Sequence, residues 1–375
     1  MSIRVTACKA GKAGKAGKIL TATVAVVTAA ACSTACSGDE AAGAEATAPT
    51  PARSVTMAFG GDVMFESHLA SLATDPNSLV ELRDTLGAAD LSVVNLETSI
   101  TDRGTPFPGK AFTFRAPESA LVSLQNAGVD AVTMAANHAF DYGEEGAVDT
   151  LAAKDASPIP VAGIGRDIDE AFTPVTLEAN GVKIALVNAS EVYEETLEYN
   201  SAGVDKYGIA SAVPRDRLLR EVRDAKKDHD VVVVSMHWGI EAAHCPGEQA
   251  IATSEALEDA GADLIVGGHQ HRLNGQGWLG NAYVNYGMGN FIYYLNAGEA
   301  GHTGVLTVTF DIPASDAPVA EQNARRVSDA DWQPMLIGYD GIPRPVDDAT
   351  AAELTSLSDS YRTCIPVTAA PEETA

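Results

Sequence analysis

Short, largely apolar runs alternate with stretches of helical spacing along most of this chain. The runs Ser54–Phe59, Leu91–Val94, Ala131–Met134, Ile159–Val161, Val231–Met236 and Leu264–Val266 read as buried strands, with Ala282–Asn285 and Val305–Phe310 as further ones. Pro174–Leu177 and Val182–Val187 read as a hairpin across Asn180-Gly181, a dipeptide suited to a tight turn. Helical spacing covers Leu79–Leu86, Glu118–Ala127 (stopped by Gly128), Gly146–Lys154, Arg215–Lys227 and Gln249–Ala260. Strands alternating with helices predict an α/β class with largely parallel sheets. Helical patterns persist to about Leu357 with no obvious linker. One main domain is therefore expected over 54–345, followed over 346–375 by a C-terminal helix and a tail disordered from Pro366 on.

The N-terminal pattern is different. Residues 1–31 carry Arg4, Lys9, Lys12, Lys15 and Lys18 and no acid, then a short apolar run from Ile19 to Ala31. That is the layout of a secretory signal, too short and too rich in Thr and Ala for a comfortable membrane span. The junction Ala29-Ala30-Ala31-Cys32 resembles a bacterial lipobox, which makes 1–31 a lipoprotein-type signal peptide and Cys32 (or Cys36) the lipidated residue. The alternative is a secreted protein cut near Ala31. Residues 32–53 read as a flexible Ala/Thr/Pro-rich tether. The expected location is outside the cell membrane, held there by the lipid. Cys245 and Cys364 remain in the folded part, and an exported protein permits a bridge between them.

Composition narrows the classes. With 46% hydrophobic residues the chain has enough apolar side chains for a core and is not a disordered one. The formal charge is −26, and removing the five positive charges of 1–31 takes it to −31. A duplex-binding protein needs a basic face, so nucleic acid is excluded as a partner.

The candidate chemistry sits where strands end. Asp62, Asn95 and Glu97, Asn137 and His138, His237, and His269 and His271 each follow an apolar run. In open α/β sheets, ligands gather at the carboxyl ends of strands. Each group alone has a bland reading: a turn former, a helix cap, a core histidine. Five in one chain point to a metal site. Gly267-Gly268 lets backbone approach closely, and two His one residue apart in an extended segment point the same way. His and carboxylate together suit Zn, Mn or Fe.

These residues carry a resemblance. The order Asp, acid, Asn-His, His, Gly-His-x-His is similar to that of the calcineurin-like metallophosphoesterases. Gly60-Gly61-Asp62-Val63-Met64, Val94-Asn95-Leu96-Glu97, Phe112-Thr113-Phe114-Arg115-Ala116-Pro117 and Ala136-Asn137-His138-Ala139-Phe140-Asp141-Tyr142-Gly143 resemble, more closely, the CapA/PgsA-type capsule proteins tied to poly-γ-glutamate synthesis. So do Met236-His237-Trp238-Gly239-Ile240-Glu241, Gly267-Gly268-His269-Gln270-His271 and Tyr286-Gly287-Met288-Gly289-Asn290-Phe291. The resemblance implies a four-layer α/β/β/α sandwich and one or two divalent ions. Asp62 and His271 would hold the first, Glu97 would stand at the bridging position, and Asn137, His237 and His269 would hold the second. It implies His138 as general acid or oxyanion contact, with Asp62 beside it in the catalytic set, and Arg115 and Lys110 facing an anionic substrate.

Two departures qualify this. Met64 stands where the superfamily has a ligand His, and Asn95-Leu96-Glu97 replaces the Gly-Asp-x-x-Asp element. A thioether is a poor ligand for a hard dication, so Met64 is expected to pack. Glu66 or His68 would complete the first site, although a His at a helix start is ordinarily exposed. Trp238 and Glu241 either line a substrate groove or pack, and Asn290 reads as a loop former.

Three functions follow. One is a cell-surface component of capsule, poly-γ-glutamate or related envelope polymer biosynthesis, working with synthetase or export subunits. The second is a metal-dependent hydrolase cutting a phosphoester, or an amide, in an envelope polymer. The third is a substrate-binding lipoprotein, against which stands the lack of duplicated α/β halves. The first calls for Arg103, Lys110, Arg115 and Arg272 to converge on the His cluster, because a −31 surface repels a polyanion.

Overall fold

The computed structural model describes residues 49–193, 199–322 and 324–371. The signal peptide, Cys32, Cys36 and most of the tether lie outside the described residues. Two sheets form the body. The first runs in the spatial order β18 (Pro343–Pro345), β17 (Val327–Ile337), β16 (His302–Ile312), β1 (Arg53–Val63), β2 (Leu91–Leu96), β5 (Ala131–Thr133) and β6 (Val161–Ala162), with β15 (Asn290–Ile292) also paired to the end of β1. The second runs β13 (Gln276–Leu279), β14 (Ala282–Asn285), β12 (Leu264–Gly268), β11 (Val231–His237), β9 (Val182–Ser190) and β8 (Val175–Ala179). Two short pairs join β3 (Ser99–Ile100) to β4 (Arg115–Ala116) and β7 (Ile164–Gly165) to β10 (Gly208–Ile209).

The layering follows from side-chain alternation. Val55, Met57 and Phe59 of β1 and Leu91 and Val93 of β2 enter one core with Ile184 and Leu186 of β9, Val231 and Val233 of β11, and Leu264 and Val266 of β12. The intervening Ala58, Val94, Ala185, Val187, Val232, Val234 and Ile265 enter a second core with helix residues Leu121, Leu124, Leu151, Leu218, Val222 and Leu257. Both faces of the central strands are apolar, so these strands read as continuous runs, and helices cover their outer faces. The result is the four-layer α/β/β/α sandwich.

β1, β2, β5 and β6 are mutually parallel, as are β9, β11, β12 and β14. Antiparallel strands flank each set. The β8–β9 hairpin turns at Asn180-Gly181, both with positive φ (53° and 72°). Leu79–Leu86 departs from expectation: it forms two 3-10 stretches, Val80–Asp84 and Leu86–Ala88. The C-terminal segment also departs. After the helix Asp348–Ser360 the chain stays on the body at Pro366, because Thr368 N and O exchange hydrogen bonds with Trp278 O and N at 2.9 Å. Cys245 and Cys364 form a disulfide closing a 119-residue separation. Among the described residues no helix is long and apolar enough to cross a membrane.

Candidate metal centre

The carboxyl ends of β1, β2, β11 and β12 meet at one place. Asp62 lies at the end of β1, where glycine is required before it at Gly61 and across from it at Gly268. A Cβ on Gly61 would lie 2.0 Å from the Gly289 carbonyl oxygen, and one on Gly268 would lie 2.5 Å from Asp62 Oδ1. With no Cβ at either position, the carboxylate reaches across to the loop of the other sheet. There Asp62 Oδ2 accepts from the His269 amide at 3.0 Å, while Asn95 Nδ2 donates to Asp62 Oδ1 at 2.8 Å.

His269 and His271 have φ of 92° and 52°. Left-handed φ is costly for a residue with a Cβ and persists where the surroundings enforce it. This corrects the expectation of an extended segment. The two rings separate, 6.1 Å between centroids, and serve two different groups. Glu97, His237 and His269 form one buried set of possible ligand atoms, and Asp62, Glu97 and His271 the other. Glu97 belongs to both. His237 Nε2 lies 2.9 Å from Asn137 Oδ1 and 3.3 Å from Glu97 Oε1, so Asn137 joins the first set.

The donor set fits a divalent cation. Glu97 is fully buried, and neither carboxylate oxygen has a hydrogen-bond partner; His269 Nδ1 is likewise buried and unpartnered. A buried carboxylate left this way is strongly unfavourable unless a cation answers it. Burial, the largest influence on both groups of the Asp62–His271 pair, opposes charge on each. It is outweighed by their hydrogen bond and mutual attraction, with Glu97 attracting His271 more strongly still. Asp62 is thereby held down to about 2 and His271 raised to about 9. His269 is pushed well below its usual value, first by burial and then by the neighbouring His237 and His271, which keeps a lone pair available.

Beside the ligands lies a cleft of about 370 Å³ lined by Gly109, Lys110, Ala111, Phe112, Asn137, His138 and Glu241. His138 Nδ1 sits 2.5 Å from Asp141 Oδ2, and its ring stacks on Phe114 at 4.0 Å. Asp141 Oδ2 also accepts from the Phe114 amide at 2.7 Å, and Asp141 Oδ1 accepts from Lys110 Nζ at 2.7 Å. Asp141 is a residue of this cleft that had no role in the sequence reading; its spacing, three residues after His138, was the available signal.

The remaining expected residues divide. Glu241 is exposed on the cleft wall. Lys110 lines the cleft, but its side chain is 6% exposed and its ammonium is engaged by Asp141 and the Asn137 carbonyl. Arg115 turns outward over the Tyr142 ring at 4.8 Å, and Arg103 pairs with Asp149 in a different cleft. Arg272 Nη1 donates to the His271 carbonyl at 2.7 Å. The four cations therefore do not converge as a set. Trp238 is not a groove residue: it is fully buried, stacked on Tyr286, with Nε1 donating to Tyr286 O at 2.9 Å. Met64 is fully buried in the outer core, His68 is exposed, and Glu66 Oε1 accepts from the Arg115 amide, so none of them completes the Asp62 group.

Two candidate ligand sets sharing one carboxylate thus meet at the converging strand ends of a four-layer α/β/β/α sandwich. The chain belongs to the bacterial capsule synthesis protein PGA_cap family, whose family model matches residues 56–294. It is 28% identical over 262 residues to the capsule biosynthesis protein CapA of Bacillus anthracis, covering 66% of this chain and 63% of that one. It is 26% identical over 244 residues to the PGA biosynthesis protein CapA of Bacillus subtilis (strain 168), covering 64% and 63%. The chain thus spans less than two thirds of the length of these relatives. A solved phosphatase from Mycoplasma pneumoniae aligns over 76% of this chain and 94% of its own, with 16% identity and a TM-score of 0.46.

Proposed function

We propose that this protein is an exported, lipid-anchored accessory of capsule or poly-γ-glutamate biosynthesis, and that its metal centre binds the anionic polymer at the outer face of the membrane. The observation that carries this reading is Glu97, a buried carboxylate without hydrogen-bond partners common to both ligand groups, in a chain of the capsule synthesis family. Arg103 and Arg115 turn elsewhere and the surface is acidic, so positive charge in the cleft has to come from bound metal, with Zn, Mn or Fe suited to the ligands. Asp62, Glu97 and His271 would hold one ion, and Asn137, His237, His269 and Glu97 another. An ion bound there supplies Lewis-acid polarisation of a substrate oxygen and acidifies water. Anchoring at Cys32 would keep the cleft near synthetase and export subunits.

A second reading, hydrolysis of a phosphoester, is favoured by one observation. The His138–Asp141–Lys110 array fixes the His138 ring and engages Nδ1, leaving Nε2 to carry a proton for a leaving oxygen. The two readings separate in one experiment. A strain lacking the chain is complemented with wild type or His138→Ala. Cell-bound polymer and the purified proteins' turnover of a bis-aryl phosphodiester, with EDTA as control, are then measured. The accessory reading predicts that His138→Ala restores polymer. Loss of both polymer and turnover in His138→Ala would favour the hydrolase, and unchanged polymer without the chain would overturn the first reading.

A further inference from the structure

Asn290 stands in β15 directly beside Asp62 of β1, and the close approach permitted by Gly61 places it there. It is fully buried, and both ends of its amide are committed. Nδ2 donates to the Ala300 carbonyl oxygen at 2.9 Å. Only a donor can face a carbonyl oxygen, so the orientation of the amide is fixed and Oδ1 is the atom turned to His271 Nδ1, 2.9 Å away. An amide oxygen accepts and cannot donate. His271 Nδ1 therefore carries a hydrogen in every state that keeps this contact. Nδ1 also lies 3.4 Å from Asp62 Oδ2, a second acceptor for the same hydrogen, and the other nitrogen, Nε2, lies 3.9 Å from Glu97 Oε1 and 3.5 Å from the Tyr293 hydroxyl.

We propose that Asn290 is a positioning residue for the Asp62–Glu97–His271 group, fixing His271 with Nδ1–H on the Asn290 amide and Nε2 as the metal-binding nitrogen. The inference rests on the reading of this cluster as a metal centre. It assigns to a residue outside the ligand motifs the task that a partner of a ligand His performs elsewhere: choosing the tautomer and orienting the ring. It also explains why β15 is docked on β1 at this point. The strand Asn290–Ile292 is only three residues long, yet it brings an amide to the one place where it can hold His271.

The test uses the full-length protein and zinc alone as the probe. Zinc affinity is measured by competition with a chromogenic chelator for wild type and Asn290→Ala, and the His271 ring nitrogens of the zinc-loaded wild type are read by long-range ¹H–¹⁵N correlation. The expected results are a loss of roughly 10–100-fold in Asn290→Ala and a protonated Nδ1 with a zinc-bound Nε2. A folded Asn290→Ala that binds zinc like wild type, or a zinc-loaded His271 protonated at Nε2, overturns the inference alone. If Asn290→Ala does not fold, the nitrogen assignment in wild type decides. Wild type that binds no zinc overturns the underlying metal reading instead.

Discussion

Glu97 concentrates the residue-scale argument. It lacks hydrogen-bond partners because its partners are meant to be cations, so an amide in its place should uncouple binding from folding. In EDTA, Glu97→Gln is expected to melt no lower than wild type; on adding zinc, wild type should gain several degrees and the variant none, as scanning calorimetry would show. A variant that melts well below wild type in EDTA would make Glu97 a structural residue. The residues of this cluster were legible in the sequence because each follows an apolar run, and a parallel strand delivers its last residues to the shared end of the sheet. Asn290 was not, since a lone Asn carries no pattern until its partners are in space. Trp238 was ambiguous for the same reason: only the Tyr286 carbonyl, brought by a distant segment, shows that it packs.

Elements are held in place by a few cross-links. The Cys245–Cys364 disulfide ties the loop after β11, which carries Glu241, to the C-terminal segment, and His244 stacks on Tyr361 at 4.5 Å beside it. With the cysteines 119 positions apart, chain-entropy reasoning assigns it about 5 kcal/mol. Cys364→Ser should lose that much in denaturant unfolding, and dithiothreitol should lower wild type equally while leaving the variant unchanged. A second link joins the helix Asp216–Asp228 to the start of β12: Lys226 Nζ lies 2.6 Å from Asp263 Oδ1. Burial raises the Asp263 carboxyl above 3.8, with Lys226 pulling the other way. A raised acid binds its proton longer folded than unfolded, so its contribution is most favourable below 3.8 and declines as pH rises through the folded value. Lys226→Met enlarges the rise. It should cost about 2 kcal/mol at pH 7 and little near pH 4, read from urea unfolding at the two pH values; an equal loss at both would contradict the pairing. The central strands were legible as apolar runs. β17 was not, because its exposed side makes Val327–Ile337 read as polar, and Leu79–Leu86 kept its spacing while tightening into 3-10 turns.

At the scale of the whole molecule, a strongly acidic body carries a centre that needs positive charge. The formal charge of −26 repels a polyanion at long range, while metal in the cleft would attract it at short range. Screening acts on the long-range part first. Association with poly-γ-glutamate should therefore quicken as ionic strength rises from about 10 mM to about 150 mM, as surface plasmon resonance would show; slower association with added salt would indicate a cationic binding face instead. All of this depends on the cluster holding metal. The most direct measurement is the metal content of the purified full-length protein, by elemental analysis, for wild type beside Glu97→Gln and His269→Ala. The account predicts one or two divalent ions per wild-type chain, fewer in His269→Ala and none in Glu97→Gln, with all three folded. Folded, metal-free wild type after supply of zinc, manganese and iron would contradict it.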